Sequence, residues 1–212
     1  MTDQMITNLE TRINELIQKF VQEQIEAEQQ DPLTYIPDLD KLAAFRLLVH
    51  AEFEEFIETK AKNALREKIQ KIKSNDFKTR EHPEIFAISN ILSFQLPTEH
   101  PFDKAKFISS IESLIRAAEK IISDNNGIKE SSFQKLSIFC GKMIDEIDEV
   151  LATSLSSYGK SRGDVAHKSA RRVTTLLAPS IEAKSATDIV EGLKGFFKNA
   201  PASVLPEQQS TQ

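Results

Sequence analysis

The chain has 212 residues, 40% of them hydrophobic, and a formal net charge of −5, which is enough apolar material for one packed domain or two small ones. Six glycines, eight prolines and no tryptophan provide too few turn signals for an all-β protein, whereas abundant Glu, Lys, Ile, Leu and Ala are typical of helices. The single cysteine, Cys140, excludes an internal disulfide and a cysteine-based zinc site, and its apolar surroundings indicate a small buried hydrophobe. No signal peptide and no apolar run of about 18 residues is visible, so we expect a soluble cytoplasmic protein without membrane partners.

The first two predicted helices are the longest. Apolar residues at spacings of three and four predict a helix over residues 2–29, which Pro32 ends because proline lacks the N–H donor. Asp38 is predicted to cap a second helix that reaches about Lys73. The chain is therefore divided into an N-terminal helix, a helical domain and a disordered Pro/Gln/Ser-rich tail, at residues 1–37, 38–199 and 200–212.

Five further helices follow in the apolar pattern. They are predicted over residues 85–94 (with Pro83 in the first turn), 103–123, 130–156, 164–177 (closed by Pro179) and 186–199. Asn125-Asn126-Gly127 is expected to end the helix over 103–123 through left-handed backbone conformations. Gly159 is expected to interrupt the helical conformation before the helix that starts at 164. The predicted fold class is all-α, a helical bundle with long antiparallel helices.

The segment from Tyr158 to Arg172 carries the strongest functional signal. Five of its side chains are cationic, against the single carboxylate of Asp164, in a chain that is acidic overall. The cations are Lys160, Arg162, Lys168, Arg171 and Arg172. His167 can donate or accept a proton near neutral pH, and Arg162 can donate two hydrogen bonds to phosphate oxygens. The segment therefore has the groups that metal-free RNA cleavage needs.

The spacing of Arg162 and His167 sets a geometric requirement. Five residues make about one and a half helical turns, so the two would not share a face of a continuous helix. We therefore expect the helix to start at Gly163 or Asp164, with Asp164 as its N-cap, so that Arg162 can bend towards His167. One chain supplies a single acid–base group, and a two-fold dimer would supply two. The alternative is a surface arginine beside a histidine that only packs against its neighbours.

The run Arg162-Gly-Asp-Val-Ala-His167 resembles the motif of the HEPN domains, all-α bundles in which four to six variable residues separate an arginine from a histidine. Phe53-Glu-Glu-Phe-Ile57 is similar to a run in the second long helix of bacterial HEPN ribonucleases of toxin and phage-defence systems, the RiboL-PSP type among them. The resemblance covers residues 40–180. It implies a metal-independent endoribonuclease without cofactors, active as a homodimer in which both copies of Arg162 and His167 line one cleft.

The resemblance also implies partners. RNA, such as tRNA or mRNA, would be the substrate, and an antitoxin or another defence-system protein could be a partner. Two positions depart from the family pattern: Gly163 stands where asparagine is common, and Ser169 stands where toxins silenced by a nucleotidyltransferase have tyrosine. Control by an antitoxin of that type is therefore not expected.

Arg162, His167 and Glu54 are the predicted catalytic residues. Glu54 lies in an apolar stripe of the second helix and is predicted to orient Arg162 or His167, with His50 one turn before it as a possible partner. The alternative is an exposed carboxylate among its acidic neighbours.

The remaining basic side chains of the segment have two interpretations. Lys160, Lys168, Arg171 and Arg172 are predicted to contact RNA phosphates; the alternative is a basic surface that pairs with the acidic residues 145–149. No His/Asp/Glu set has metal-ligand spacing, and His82 and His100 are expected to be exposed. The competing function is a non-catalytic helical interaction module or an antitoxin-like partner.

Overall fold

The computed structural model describes residues 4–98, 101, 103–167 and 173–198, with only the backbone for Ala166 and His167. Within these residues the chain is an all-α helical bundle of eight α-helices without a β-strand. The helices are α1 Gln4–Phe20, α2 Gln22–Gln30, α3 Leu39–Lys73, α4 Glu84–Ile91, α5 Lys104–Ser123, α6 Glu130–Phe139, α7 Glu149–His167 and α8 Pro179–Lys198. Single 3₁₀ turns occupy Thr79–Glu81 and Ile144–Glu146. None of the described helices combines the length and the apolar composition that a membrane crossing requires.

Helix α3 is the centre of the bundle. It packs against α1, α5, α6, α7 and α8, and its phenylalanines Phe45 and Phe53 are fully buried. The carboxylate of Asp38 accepts hydrogen bonds from the backbone N–H groups of Asp40 and Lys41, which confirms the predicted cap. The apolar face of α1 joins the same core, so the N-terminal helix and the helices after it share one hydrophobic interior.

The structure confirms most predicted helices but divides two of them. The first is present as α1 and α2, which are separated at Val21. The helix predicted over residues 130–156 is wrong: α6 ends at Phe139, and Gly141 follows with a φ of +99°, a conformation that glycine adopts without steric cost. Helix α7 then starts at Glu149, where the Asp148 carboxylate accepts a hydrogen bond from the N–H of Leu151.

The boundaries around the Arg–His segment also differ from the prediction. Gly159 does not interrupt the helix, because α7 continues through it to His167. The described residues 173–178 are not helical, so the helix predicted over 164–177 is wrong. Pro179 opens α8 instead of closing an earlier helix, a position that suits proline because the first N–H of a helix has no intrahelical acceptor. Residues 199–212, which include the predicted disordered tail, lie outside the described part of the chain.

Among the described residues, two buried ion pairs connect α3 to other helices. Arg46 on α3 binds both carboxylate oxygens of Glu182 on α8, and their side chains are 3% and 1% exposed. Lys68 lies 3.0 Å from Glu84 on α4, and Glu84 also faces His82. His82 is therefore buried rather than exposed as predicted. His100 lies outside the described residues. Each buried charge in such a pair needs the opposite charge of its partner, because removal of one partner leaves the other as an uncompensated buried charge.

Cys140 directly follows the last residue of α6 and packs, partly buried, against the main core. Burial raises the pKa of its thiol to about 12, so the side chain stays protonated at neutral pH. A protonated thiol is a poor nucleophile and metal ligand. Cys140 is therefore a packing residue.

Candidate functional site

Four polar residues lie along one face of α3. Arg46, His50, Glu54 and Glu58 follow one another at intervals of four, the spacing that places side chains above one another on a helix. Arg46 and His50 are each 2% exposed, and the side chains of Glu54 and Glu58 are 19% and 17% exposed. We call this set the α3 polar stripe. Because polar groups in such positions need partners, the stripe determines what must pack against α3.

Glu54 is the point where three parts of the chain meet. One of its carboxylate oxygens accepts a hydrogen bond from the backbone N–H of Gly127, in the turn after α5. Gly127 has a φ of +82°, as predicted for this turn. The other oxygen lies 3.8 Å from Nδ1 of His50 and 4.0 Å from Nη2 of Arg162 on α7. The backbone contact fixes the carboxylate, and the carboxylate then faces the arginine.

Glu58, one turn further along α3, contacts the same turn. It accepts a hydrogen bond from the side-chain amide of Asn125 at 2.9 Å. Its other oxygen lies 3.4 Å from Nζ of Lys62 on its own helix. The two carboxylates together hold the loop after α5 against α3, so the Gly127 N–H that fixes Glu54 is itself held in place.

Arg162 thus lies where the sequence predicted a partner for Glu54. Its side chain is 30% exposed, so Arg162 packs against the protein and is still partly accessible to solvent. The expected helix start at Gly163 or Asp164 is wrong. Both positions lie inside α7, so Asp164 is not an N-cap, and Arg162 and His167 occupy different faces of one continuous helix. The side chain of His167 lies outside the described residues.

His50 fills the space between α3 and α7. Neither ring nitrogen has a hydrogen-bond partner within the described part of the chain, and both Gly127 and Gly159 approach the ring. Burial, followed by the positive charge of Arg162, lowers the pKa of His50 to about 4. The imidazole is therefore neutral at physiological pH and closed to solvent. It separates Glu54 from the core without adding a charge.

The other predicted RNA contacts are only partly described. Lys160 is exposed on α7, two residues before Arg162. Lys168, Arg171 and Arg172 lie outside the described residues, so their contact with RNA stays a prediction. Among the residues whose placement is described, no group of three His, Cys, Asp or Glu side chains is arranged to hold a metal ion.

Sequence reasoning missed the arginine that opens the α3 polar stripe. Arg46 and its partner Glu182 are 136 positions apart, a separation that no local pattern links. The repeat of polar residues every four positions along the helix was the available signal. Comparison of the chain with protein-family models, with curated proteins and with solved structures gives no significant match.

The close packing at Gly159 gives a stability prediction. A Cβ atom there would lie 2.9 Å from the carbonyl oxygen of Ile128 and 3.0 Å from Nε2 of His50, so we expect Gly159→Ala to lower the free energy of unfolding by about 1–3 kcal/mol. Gly163→Ala, four residues later in α7 with nothing within 4 Å of the new atom, should raise it by about 0.5–1 kcal/mol. Urea unfolding measures both. Equal effects of the two variants would contradict the described packing of α7 on His50.

The buried imidazole gives a pH prediction. The pKa of His50 is lowered from 6.5 to about 4 in the folded state, so between these values the unfolded chain binds more protons. The stabilisation is complete above about pH 6.5 and is lost as the pH falls towards 4. Between pH 7 and about pH 4.5 we expect the His50 contribution to unfolding free energy to fall by about 2–3 kcal/mol.

Other ionisable groups also contribute to the pH dependence of stability, so the His50→Gln variant provides the reference. Urea unfolding of both proteins at the two pH values should show a steeper loss for the unsubstituted chain. If the two proteins lose equal stability, His50 is not a neutral buried imidazole.

Proposed function

We propose that the protein is a metal-independent endoribonuclease in which Arg162 stabilises the charged phosphorane and His167 transfers protons. The observation that supports this proposal is the position of Arg162, a half-exposed guanidinium held beside the anchored carboxylate of Glu54. An arginine that stabilises a transition state must be placed before the substrate arrives, since a preorganised charge needs no reorganisation during the reaction. The resemblance of the Arg162–His167 run to the HEPN motif points to the same chemistry.

The contact between Glu54 and Arg162 suits this role. At 4.0 Å the carboxylate is too far away for a hydrogen bond, so it attracts the guanidinium without using one of its N–H donors. The planar set of N–H donors of an arginine matches the oxygens of a phosphate. Lys160, exposed on the same helix, adds a second positive charge for the RNA backbone. Glu54 is in this proposal a positioning residue, because it acts through Arg162.

The reaction needs two proton transfers. A base removes the proton from the ribose 2′-hydroxyl, the 2′-oxygen attacks phosphorus, and the bond from phosphorus to the 5′-oxygen breaks as an acid protonates that oxygen. The products carry a 2′,3′-cyclic phosphate and a 5′-hydroxyl. Arg162 and His167 occupy different faces of one α7 helix, and one chain supplies a single histidine for the two transfers. A two-fold dimer that brings two α7 helices together would supply two histidines and two arginines to one cleft.

The test is cleavage of total RNA and purified tRNA in EDTA. The unsubstituted protein should release fragments with cyclic-phosphate ends, and Arg162→Ala and His167→Ala should reduce the rate at least about 100-fold, since each removes a group that acts in the transition state. Arg66→Ala removes an exposed arginine of α3 that lies about 18 Å along the helix from Glu54, and it should cleave normally.

Two results would count against the proposal. Full activity in either the Arg162 or the His167 variant would remove the mechanism. Absence of cleavage by the unsubstituted protein on both RNAs would favour the alternative, a non-catalytic helical interaction module, whose mark would be tight binding of a partner protein. Circular dichroism of each variant establishes that a lost activity is not a lost fold.

A further inference from the structure

The loop between α2 and α3, residues 31–38, presents two large apolar side chains to solvent. Leu33 and Ile36 are 96% and 85% exposed, the two largest fractions for any large hydrophobic side chain among the described residues. One exposed aliphatic side chain is ordinary on a protein surface. Two of them within one short loop form a local apolar patch, which is the kind of surface that contacts another molecule.

Hydrogen bonds to the side chain of Gln24 on α2 hold this loop in place. Gln24 is buried, and its side-chain oxygen accepts from the hydroxyl of Tyr35 and from the backbone N–H of Asp38, each at 2.8 Å. At the start of the loop, the carboxylate of Asp31 accepts from the N–H and the hydroxyl of Thr34. The first turn of the loop is therefore closed, and its middle and its end are connected to α2.

This arrangement leaves the two apolar side chains on the outside of an ordered loop. The hydroxyl of Tyr35 is bound to α2, whereas Leu33 and Ile36 remain exposed. Pro32 and Pro37 further limit the conformations of the backbone, because proline fixes φ. A loop that is already ordered loses little conformational entropy when a partner covers it, so the two side chains are preorganised as anchors for a contact.

The sequence around the loop is acidic. Residues 20–40 contain six carboxylates and neither Lys nor Arg, and the carboxylates are those of Glu23, Glu26, Glu28, Asp31, Asp38 and Asp40. Burial, and then the negative charges of Glu28, Asp38 and Glu23, raises the pKa of Tyr35. Three of the six carboxylates therefore act on the loop itself.

The cations that lie nearby do not balance these carboxylates. Lys41 lies 3.1 Å from Glu23, and Lys184 on α8, which packs against α2, is paired with Asp188 at 2.6 Å. The three cations of residues 168–172 lie outside the described residues, and with Lys41 they are four against six carboxylates even if all of them approach the loop. The surface therefore repels an anionic membrane, a nucleic acid and the same loop of a second copy, and it attracts a basic surface.

We propose that the α2–α3 loop docks a partner protein through a segment that has an apolar face flanked by Lys or Arg side chains. Leu33 and Ile36 pack into the apolar face, and the carboxylates of residues 20–40 select the basic flanks. The apolar anchors supply most of the affinity, and the charges determine the choice of partner and its orientation. This proposal does not depend on the proposed ribonuclease activity.

The test uses three synthetic helical peptides of one length and one residue spacing, built from Leu and Lys, from Leu and Glu, and from Gln and Lys. The first has both stated features, the second reverses the charge, and the third lacks the apolar face. NMR of the full chain with isotope-labelled Leu and Ile methyl groups follows Leu33 and Ile36 directly. We expect saturable shifts of these two side chains with the Leu/Lys peptide, which should bind at least about 10-fold more tightly than either of the others.

A variant of the two anchors locates the contact. Leu33→Gln combined with Ile36→Gln changes two exposed positions and should weaken binding of the Leu/Lys peptide, measured by calorimetry, about 10-fold or more. Phe86→Gln, which removes a 54% exposed apolar side chain from α4, is the matched control and should bind as the unsubstituted chain does. Circular dichroism checks the fold of each variant.

A second variant tests the charges. Glu26→Gln combined with Asp40→Asn removes two exposed carboxylates and keeps the hydrogen bonds of Asp31 and Asp38 that order the loop and cap α3. We expect weaker binding of the Leu/Lys peptide at low salt and a smaller effect of added salt on that binding.

Several results would overturn the proposal. Among them are the absence of Leu33 and Ile36 shifts with all three peptides and unchanged affinity in the anchor variant. Equal binding of the Leu/Glu peptide would contradict the stated partner chemistry. Binding to phosphatidylcholine vesicles that is lost in the anchor variant would identify a lipid surface as the occupant, and self-association that is lost in it would identify a second copy.

Discussion

The α3 polar stripe is the constraint on which the rest of the bundle depends. A central helix that buries an arginine and a histidine and partly buries two carboxylates can be stable only if other elements supply partners, because an uncompensated charge in the interior costs several kcal/mol. Arg46 forms an ion pair with Glu182 of α8. Glu54 accepts a hydrogen bond from the Gly127 N–H and faces Arg162. Glu58 accepts a hydrogen bond from the side-chain amide of Asn125. These partners fix α7, α8 and the turn after α5 against α3.

The same constraint explains the glycines beside His50. The imidazole is neutral and has no hydrogen-bond partner among the described residues, so it acts as a spacer between α3 and α7. A side chain at Gly159 would collide with it, which is why α7 carries a glycine inside a helix, where glycine is otherwise unfavourable. The close approach that results places Arg162 within 4.0 Å of Glu54. The packing of an inert histidine thus sets the position of the proposed functional arginine.

Local signals in the sequence were enough for much of the fold. The cap at Asp38, the left-handed turn at Gly127 and the proximity of Glu54 to Arg162 all follow from short patterns, and the structure has them. The errors arose where a local signal had two meanings. The local pattern predicts that Gly159 interrupts a helix and that Pro179 ends one. In the structure, Gly159 lies inside α7 and Pro179 begins α8. What decides between these meanings is tertiary packing, such as the space that His50 leaves for Gly159. The pairing of Arg46 with Glu182 spans most of the chain and has no local signature.

The central claim is that Glu54 holds Arg162 in place, and a double-mutant cycle tests it most directly. Unfolding free energies of the unsubstituted chain, Glu54→Gln, Arg162→Met and the double variant would be measured in urea at pH 7 and low salt. Glutamine keeps an oxygen for the Gly127 N–H, so the cycle isolates the attraction between the two charges. The account predicts a coupling of about 0.5–1 kcal/mol that decreases with added salt. Effects that add within about 0.3 kcal/mol would contradict it and would leave Arg162 as a surface side chain without a fixed position.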